Sequence, residues 1–174
     1  LLFSMRTLFV VFLLLPIIYT MGMLLTGGYL PGENIAEQID RTVLGCFLYG
    51  ASVSDTGQVI FADWYHISWI YSTLNFTATV LSGTLIGCLL KSELSDKRKL
   101  RIMGIAGMVS LLVAMGLSFI EPVIKRLWTS SMMFLSSGIS ILLMLVFYYW
   151  VDVCKNGKYL KWLKIYGMNS ILAY

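Results

Sequence analysis

Few side chains in this sequence could carry out chemistry, and they lie outside its long apolar stretches. Imidazole is the side chain best suited to acid–base catalysis near neutral pH, and His66 is the only histidine. It lies among Trp64, Tyr65 and Trp69, where a lone histidine is more often an anchoring or hydrogen-bonding residue. His66 is therefore a weak catalytic candidate.

Two charged pairs are candidates for binding a ligand. Lys125 and Arg126 precede Trp128, and two cations beside an indole could clamp an anionic or sugar ligand. Snorkelling of the same side chains at a membrane surface explains them equally well. Asp40 and Arg41 could likewise contact a substrate, although a structural pair or a loop anchor is the more common role.

The sequence lacks several motifs that would identify an enzyme class. It has no glycine-rich phosphate loop, no Cys-x-x-Cys, no His-Glu-x-x-His and no Gly-x-Ser-x-Gly. With one histidine and three scattered cysteines, a transition-metal site is not expected, and no metal is predicted.

The composition indicates the kind of fold that must position these residues. Apolar residues make up 58% of the 174 and charged residues only 13%, whereas soluble domains have about 45–50% and 25%. Charge-free stretches predict membrane spans at about 7–26, 67–90, 102–120 and 127–151. The predicted fold class is an all-α polytopic membrane helix bundle.

The two ends of the sequence suggest part of a longer chain. It begins at Leu1 without an initiator methionine, and it ends at Tyr174 within a further apolar run, 165–174. A span cannot stop halfway through lipid with unpaired carbonyl groups. We therefore expect 1–174 to be a fragment of one transmembrane domain, with four complete spans and the start of a fifth.

The distribution of charge predicts the orientation in the membrane. Ten of the thirteen basic residues fall in the connections around residues 6, 91–101 and 155–164, and six of the nine acidic residues fall in the alternate set. Basic loops face the cytoplasm. We predict that the 27–66 loop faces outward, which in the bacterial inner membrane expected for this protein is the periplasm. The Lys97-Arg98-Lys99 run then serves as a positive-inside anchor or, less commonly, holds an anionic head group or a cofactor phosphate.

Local patterns add detail to this bundle. Apolar residues at helical spacing predict a short amphipathic helix over about 33–47 in the outward loop. Small residues predict close helix packing in the last three spans, and they include Gly83, Gly87, Gly107 and Gly138. No ionisable residue lies within a complete span, which makes a proton pump or cation transporter less favoured.

An ordered set of short motifs points to a family. The motifs are Gly28-Tyr29-Leu30, Ile39-Asp40-Arg41, Leu48-Tyr49, Lys125-x-Leu127-Trp128-Thr129-x-Ser131, Val151-Asp152-Val153 and Gly167-Met168-Asn169-Ser170-Ile171-Leu172-Ala173-Tyr174. In this order the chain, from about Gly27 to Tyr174, resembles the C-terminal half of the transmembrane acyltransferases related to heparan-α-glucosaminide N-acetyltransferase. One departure is His66-Ile67-Ser68-Trp69, which stands where these relatives have Asp-Pro-Glu-Gly.

The resemblance implies a helical membrane enzyme that uses cytoplasmic acetyl-CoA to acetylate an amino sugar or glycan on the outer side. It implies a catalytic histidine in the N-terminal half, outside this sequence, so that role does not pass to His66. Residues at matching positions imply an outer substrate site, lined by Asp40, Arg41, Lys125, Trp128, Asn169 and Ser170.

Two other functions stay open on the sequence. One is a transporter or flippase-like carrier, and the other is a non-catalytic membrane subunit whose partner holds the active site. The expected partners are the lipid bilayer, the remainder of the chain and a glycan acceptor. Nothing points to nucleic acid, and the sequence leaves homo-oligomer formation open.

Overall fold

The computed structural model describes residues 4–63 and 66–156. Its α-helices are α1 Met5–Leu25, α2 Ile35–Leu44, α3 Thr73–Lys91, α4 Asp96–Leu117 and α5 Ser130–Tyr148. A 3₁₀ turn at Gly45–Phe47 and the strands β1 Ala51–Val53 and β2 Val59–Phe61 lie between α2 and α3, and a π-helical turn at Tyr149–Val153 follows α5. The predicted all-α helix bundle is confirmed.

The four long helices, α1, α3, α4 and α5, are each long and apolar enough to cross a bilayer. Large apolar side chains cover their outer surfaces, and Val10, Val80 and Leu143 are each more than half exposed. Water would oppose such exposure by about 25 cal/mol for each Å² of apolar surface, whereas lipid tails solvate it. The chain is a multi-pass membrane protein.

Two of these helices begin six residues away from the starts of the predicted spans. α3 begins at Thr73 rather than at residue 67, because the chain first makes a turn whose Trp69 and Ile70 N–H groups donate to the Asp40 carboxylate. α4 begins at Asp96 rather than at residue 102, since its first turns extend into the charged connection. The predicted fifth span, 165–174, lies outside the described residues.

The connection between α1 and α3 contains the predicted amphipathic helix and a hairpin that was not predicted. The helix, α2, covers Ile35–Leu44 instead of 33–47, and the Asn34 side chain caps its first turn by accepting the Glu37 N–H at 2.9 Å. β1 and β2 pair antiparallel, with Ala51 opposite Phe61. Three-residue strands are too short for a clear alternating pattern, which is why the sequence suggested only a loop.

The core of the bundle lies where α3 and α5 meet α1 and α4. One cluster includes Phe12, Ala78 and Phe134, from α1, α3 and α5. A second cluster, at the end where α5 begins, brings Tyr19 and Met23 of α1 against α2. The short helix α2 is thereby held against the same end of the bundle.

Glycine allows α4 and α5 to approach each other closely. A Cβ atom on Gly107 would lie 2.7 Å from Leu142 Cδ2, and one on Gly138 would lie 3.1 Å from the Gly107 carbonyl oxygen. Close packing was also predicted at Gly83 and Gly87, but an added Cβ there meets no described atom within 4 Å. Small residues alone therefore do not identify the contact face.

Replacing Gly107 by valine should force α4 and α5 apart. We expect Gly107→Val to lower the free energy of unfolding in detergent by about 2 kcal/mol, because the added carbons overlap Leu142. The matched control is Gly83→Val, which places the same branched side chain in a helix interior with open space around it. Equal losses in the two variants would contradict this account.

Candidate functional site

Buried polar side chains gather at the end of the bundle where α5 begins. Thr20 of α1, Tyr29 after α1, Glu121 before α5, and Ser130 and Ser131 at the start of α5 form a connected group that we call the polar end. The N-terminus of α5 points into this group, and a helix N-terminus stabilises a nearby negative charge. The polar end is therefore built around a carboxylate.

That carboxylate belongs to Glu121, which is fully buried. The Tyr29 hydroxyl donates to it at 2.6 Å, the Thr20 hydroxyl at 3.2 Å, and the Ser131 N–H also donates. Within 4–63 and 66–156, no lysine, arginine or histidine forms an ion pair with it. Glu121 is thus held by neutral donors alone.

Burial at the polar end shifts two ionisation equilibria. Removal from water raises the pKa of Glu121, and hydrogen bonds from Tyr29, Ser131, Thr20 and Ser130 only partly offset that rise. The pKa of Tyr29 is also raised, by burial first and then by its bond to the Glu121 carboxylate. The neutral forms of both groups are therefore favoured relative to water.

The structure separates Trp128 from the cations that precede it. The Trp128 indole N–H donates to Thr79 Oγ1 at 3.1 Å, and its ring lies 5.2 Å from that of Phe76, both on α3. Lys125 and Arg126 are instead exposed on the turn. Of the two roles considered for these residues, anchoring at the membrane surface matches this arrangement better than a clamp.

Asp40 and Arg41 also take separate partners. Asp40 is buried and accepts N–H bonds from Trp69 and Ile70, the latter at 2.9 Å, so it anchors the turn before α3. Burial is the main cause of its raised pKa. Arg41 forms an ion pair with Glu37 at 3.6 Å and lies 5.2 Å from the centre of the Phe61 ring. Asn169 and Ser170 lie outside the described residues.

Glu37 is a site residue that the sequence analysis missed. Its carboxylate is buried, and it accepts bonds from the Gly32 N–H at 2.9 Å, Asn34 Nδ2 at 2.7 Å and His66 Nδ1 at 3.0 Å. The signal that could have found it is the Asn34-x-x-Glu37 spacing, a capping-box pattern in which the two side chains satisfy the start of a helix.

An apolar groove runs between α1 and α4, which make little direct contact with each other. Its volume is about 680 Å³, and its walls include Phe9 and Ile17 of α1 and Ile105 of α4. Thr20 and Ser130 line it where it reaches the polar end. This α1–α4 groove can therefore hold a long, uncharged molecule. The end of that molecule would meet the hydroxyl groups of Thr20 and Ser130, and Thr20 is hydrogen-bonded to the Glu121 carboxylate.

The raised pKa of Glu121 predicts a pH-dependent contribution to stability. A carboxyl group with a raised folded-state pKa stabilises the fold below its unfolded pKa and loses that contribution as the pH rises through the folded value. We expect the thermal midpoint of the native protein, minus that of Glu121→Gln, to fall between pH 4 and pH 8. Glu33→Gln, which removes a carboxyl group at an exposed position, is the matched variant. A constant difference for Glu121→Gln would contradict the assignment.

Comparison with known proteins adds no family to these observations. Protein-family models, curated protein sequences and solved structures were each compared with the chain, and none matches it. The polar end and the α1–α4 groove are therefore the features on which a functional proposal rests.

Proposed function

We propose that this chain is part of an integral membrane acyltransferase. The intact protein would take acetyl-CoA on the side of the basic connections and transfer its acetyl group to the amine of an amino sugar or glycan on the opposite side. The α1–α4 groove is the observation that carries this proposal, because transfer across a bilayer needs a dry passage and this groove is lined mainly by apolar side chains.

The dimensions of the groove suit an acyl-bearing arm. Its lining extends from Phe9 to Met21 on α1, which at 1.5 Å per residue is about 18 Å, and from Ile102 to Leu117 on α4, about 22 Å. These lengths are a large part of the roughly 30 Å of hydrocarbon in a bilayer. The largely uncharged arm of acetyl-CoA would lie in the groove with its thioester toward the polar end.

The charged end of the donor would remain near the basic connection. Lys97, Arg98 and Arg101 are exposed at the start of α4, near the groove residue Ile102, and are suited to phosphate groups. Lys99 has another role, because it is buried and donates to the Leu90 carbonyl oxygen at 2.7 Å. It therefore caps the end of α3.

Transfer of radiolabelled acetyl from acetyl-CoA to glucosamine tests this function in proteoliposomes of the intact protein. We expect Ala106→Trp, which fills the groove, to raise KM for acetyl-CoA at least about tenfold. The control is Val80→Trp, since Val80 is 68% exposed on α3 and lines none of the described cavities. The proposed function is contradicted if no amine is acetylated and acetyl-CoA does not bind. That result would favour the carrier function.

The proposed sidedness places the 27–66 loop in the periplasm of a bacterium and the basic connections in its cytoplasm. Two exposed cysteines can report it, because Cys46 follows α2 and Cys154 follows α5. In right-side-out inner-membrane vesicles, an impermeant maleimide should label a variant that retains only Cys46. A variant that retains only Cys154 should be labelled only after the vesicles are lysed. The reverse labelling pattern would show that the orientation is opposite to the proposed one.

A further inference from the structure

The polar end has more hydrogen-bond acceptors than hydrogens to donate to them. The Thr20 hydroxyl carries one hydrogen, but two acceptors lie within its reach, Glu121 Oε2 at 3.2 Å and Ser130 Oγ at 2.9 Å. No residue in 4–63 or 66–156 donates to Thr20 Oγ1 in return. One of the two acceptors, together with the lone pairs of Thr20, is therefore left for another donor.

A buried amide beside Ser130 also lacks a donor. Asn75 is fully buried, and its Nδ2 donates to the Trp128 carbonyl oxygen at 2.8 Å and to Ser130 Oγ at 3.2 Å. Its Oδ1 has no hydrogen-bond partner in the part of the chain that the structure describes. Because buried oxygen atoms normally have a partner, the shortage of donors extends from Thr20 to Asn75.

The polar end carries a charge that its neighbours do not balance. Ionised Glu121 contributes one negative charge, and the N-terminus of α5 offsets about half of it. No basic side chain among the described residues forms an ion pair with Glu121, although a fully buried carboxylate usually has such a partner. A bound cation would favour the ionised form of this carboxyl group. The group therefore suits a ligand that brings both positive charge and hydrogens.

The α1–α4 groove gives a ligand access to these acceptors. Thr20 is partly buried and lines the groove together with Ser130. Glu121 is not part of the groove lining and lies behind Thr20, where Tyr29 and the Ser131 N–H also donate to it. A ligand in the groove thus meets two hydroxyl oxygens, one of which is hydrogen-bonded to the carboxylate.

We propose that the polar end binds the acceptor as a primary ammonium ion. This inference rests on the proposed acetyl transfer, which supplies an amine as the ligand. One N–H of the ammonium donates to Thr20 Oγ1, whose own hydrogen is then directed to Glu121. A second N–H donates to Ser130 Oγ, at the acceptor position that Thr20 leaves open. The nitrogen is thereby held at the end of the groove, where the thioester of the donor is proposed to lie.

Binding of glucosamine and glucose to the intact protein, without acetyl-CoA, tests this site. The two sugars differ only at C2, which carries an amine that is mostly protonated at pH 7 in glucosamine and a hydroxyl group in glucose. We expect the native protein to bind glucosamine at least about tenfold more tightly than glucose. Glu121→Gln should raise the Kd of glucosamine about tenfold and that of glucose less than about threefold, because only the ammonium interacts with the carboxylate charge.

A second variant, Thr20→Val, tests the same site without changing the carboxylate. Valine has nearly the shape of threonine, and Glu121 keeps its other donors. We expect Thr20→Val to raise the Kd of glucosamine about tenfold, through loss of a hydrogen bond to a charged group. The matched controls are Thr84→Val, whose hydroxyl bonds within its own helix, and Glu33→Gln at an exposed position. Neither control should change the binding of either sugar.

The other outcomes separate this inference from the proposed function. Equal changes for both sugars, or no change in the Glu121 and Thr20 variants, would overturn the ammonium site while acetyl transfer by the native protein stands. Loss of folding in both variants would give the polar end a structural role and would also overturn the site. Selective binding of glucosamine by a native protein that acetylates no amine would support the site and contradict the proposed function.

Discussion

The buried carboxylate of Glu121 is the constraint on which the arrangement of the helices depends. It joins three separate parts of the chain, because Thr20 of α1, Tyr29 of the following loop and the Ser131 N–H of α5 all donate to it. A buried anion without these donors would cost several kcal/mol. The helix ends must therefore converge at one place, and that convergence creates the end of the α1–α4 groove.

Outside the spans, the helix α2 also holds neighbouring segments in place through buried carboxylates. Its buried acidic residues, Glu37 and Asp40, are three positions apart and lie on neighbouring parts of one face. Asp40 fixes the turn that leads into α3, while Glu37 fixes the start of α2 and the ring of His66. One ten-residue helix thereby positions both the chain that enters α3 and the imidazole at the surface.

These features place apolar and charged groups in two different environments. Within the spans, the groove is lined mainly by apolar side chains, with the neutral hydroxyl groups of Thr20 and Ser130 at one end and that of Ser110 near its middle, which suits an uncharged acyl-bearing arm. Among the described residues, charged side chains lie near or beyond the helix ends, where water and backbone N–H groups reduce the cost of charge. His66 lies at this boundary, partly exposed and tied to a buried carboxylate.

The sequence by itself determined the four apolar helices and the amphipathic helix, because length, hydropathy and helical spacing are local properties. Only the tertiary structure decided the partners of the polar residues. Glu121 and Tyr29 are 92 positions apart, and Glu37 and His66 are 29 apart. The sequence also placed Trp128 beside Lys125, yet the fold turned its indole toward α3. A side chain's partner depends on which helix faces it, and no local pattern contains that information.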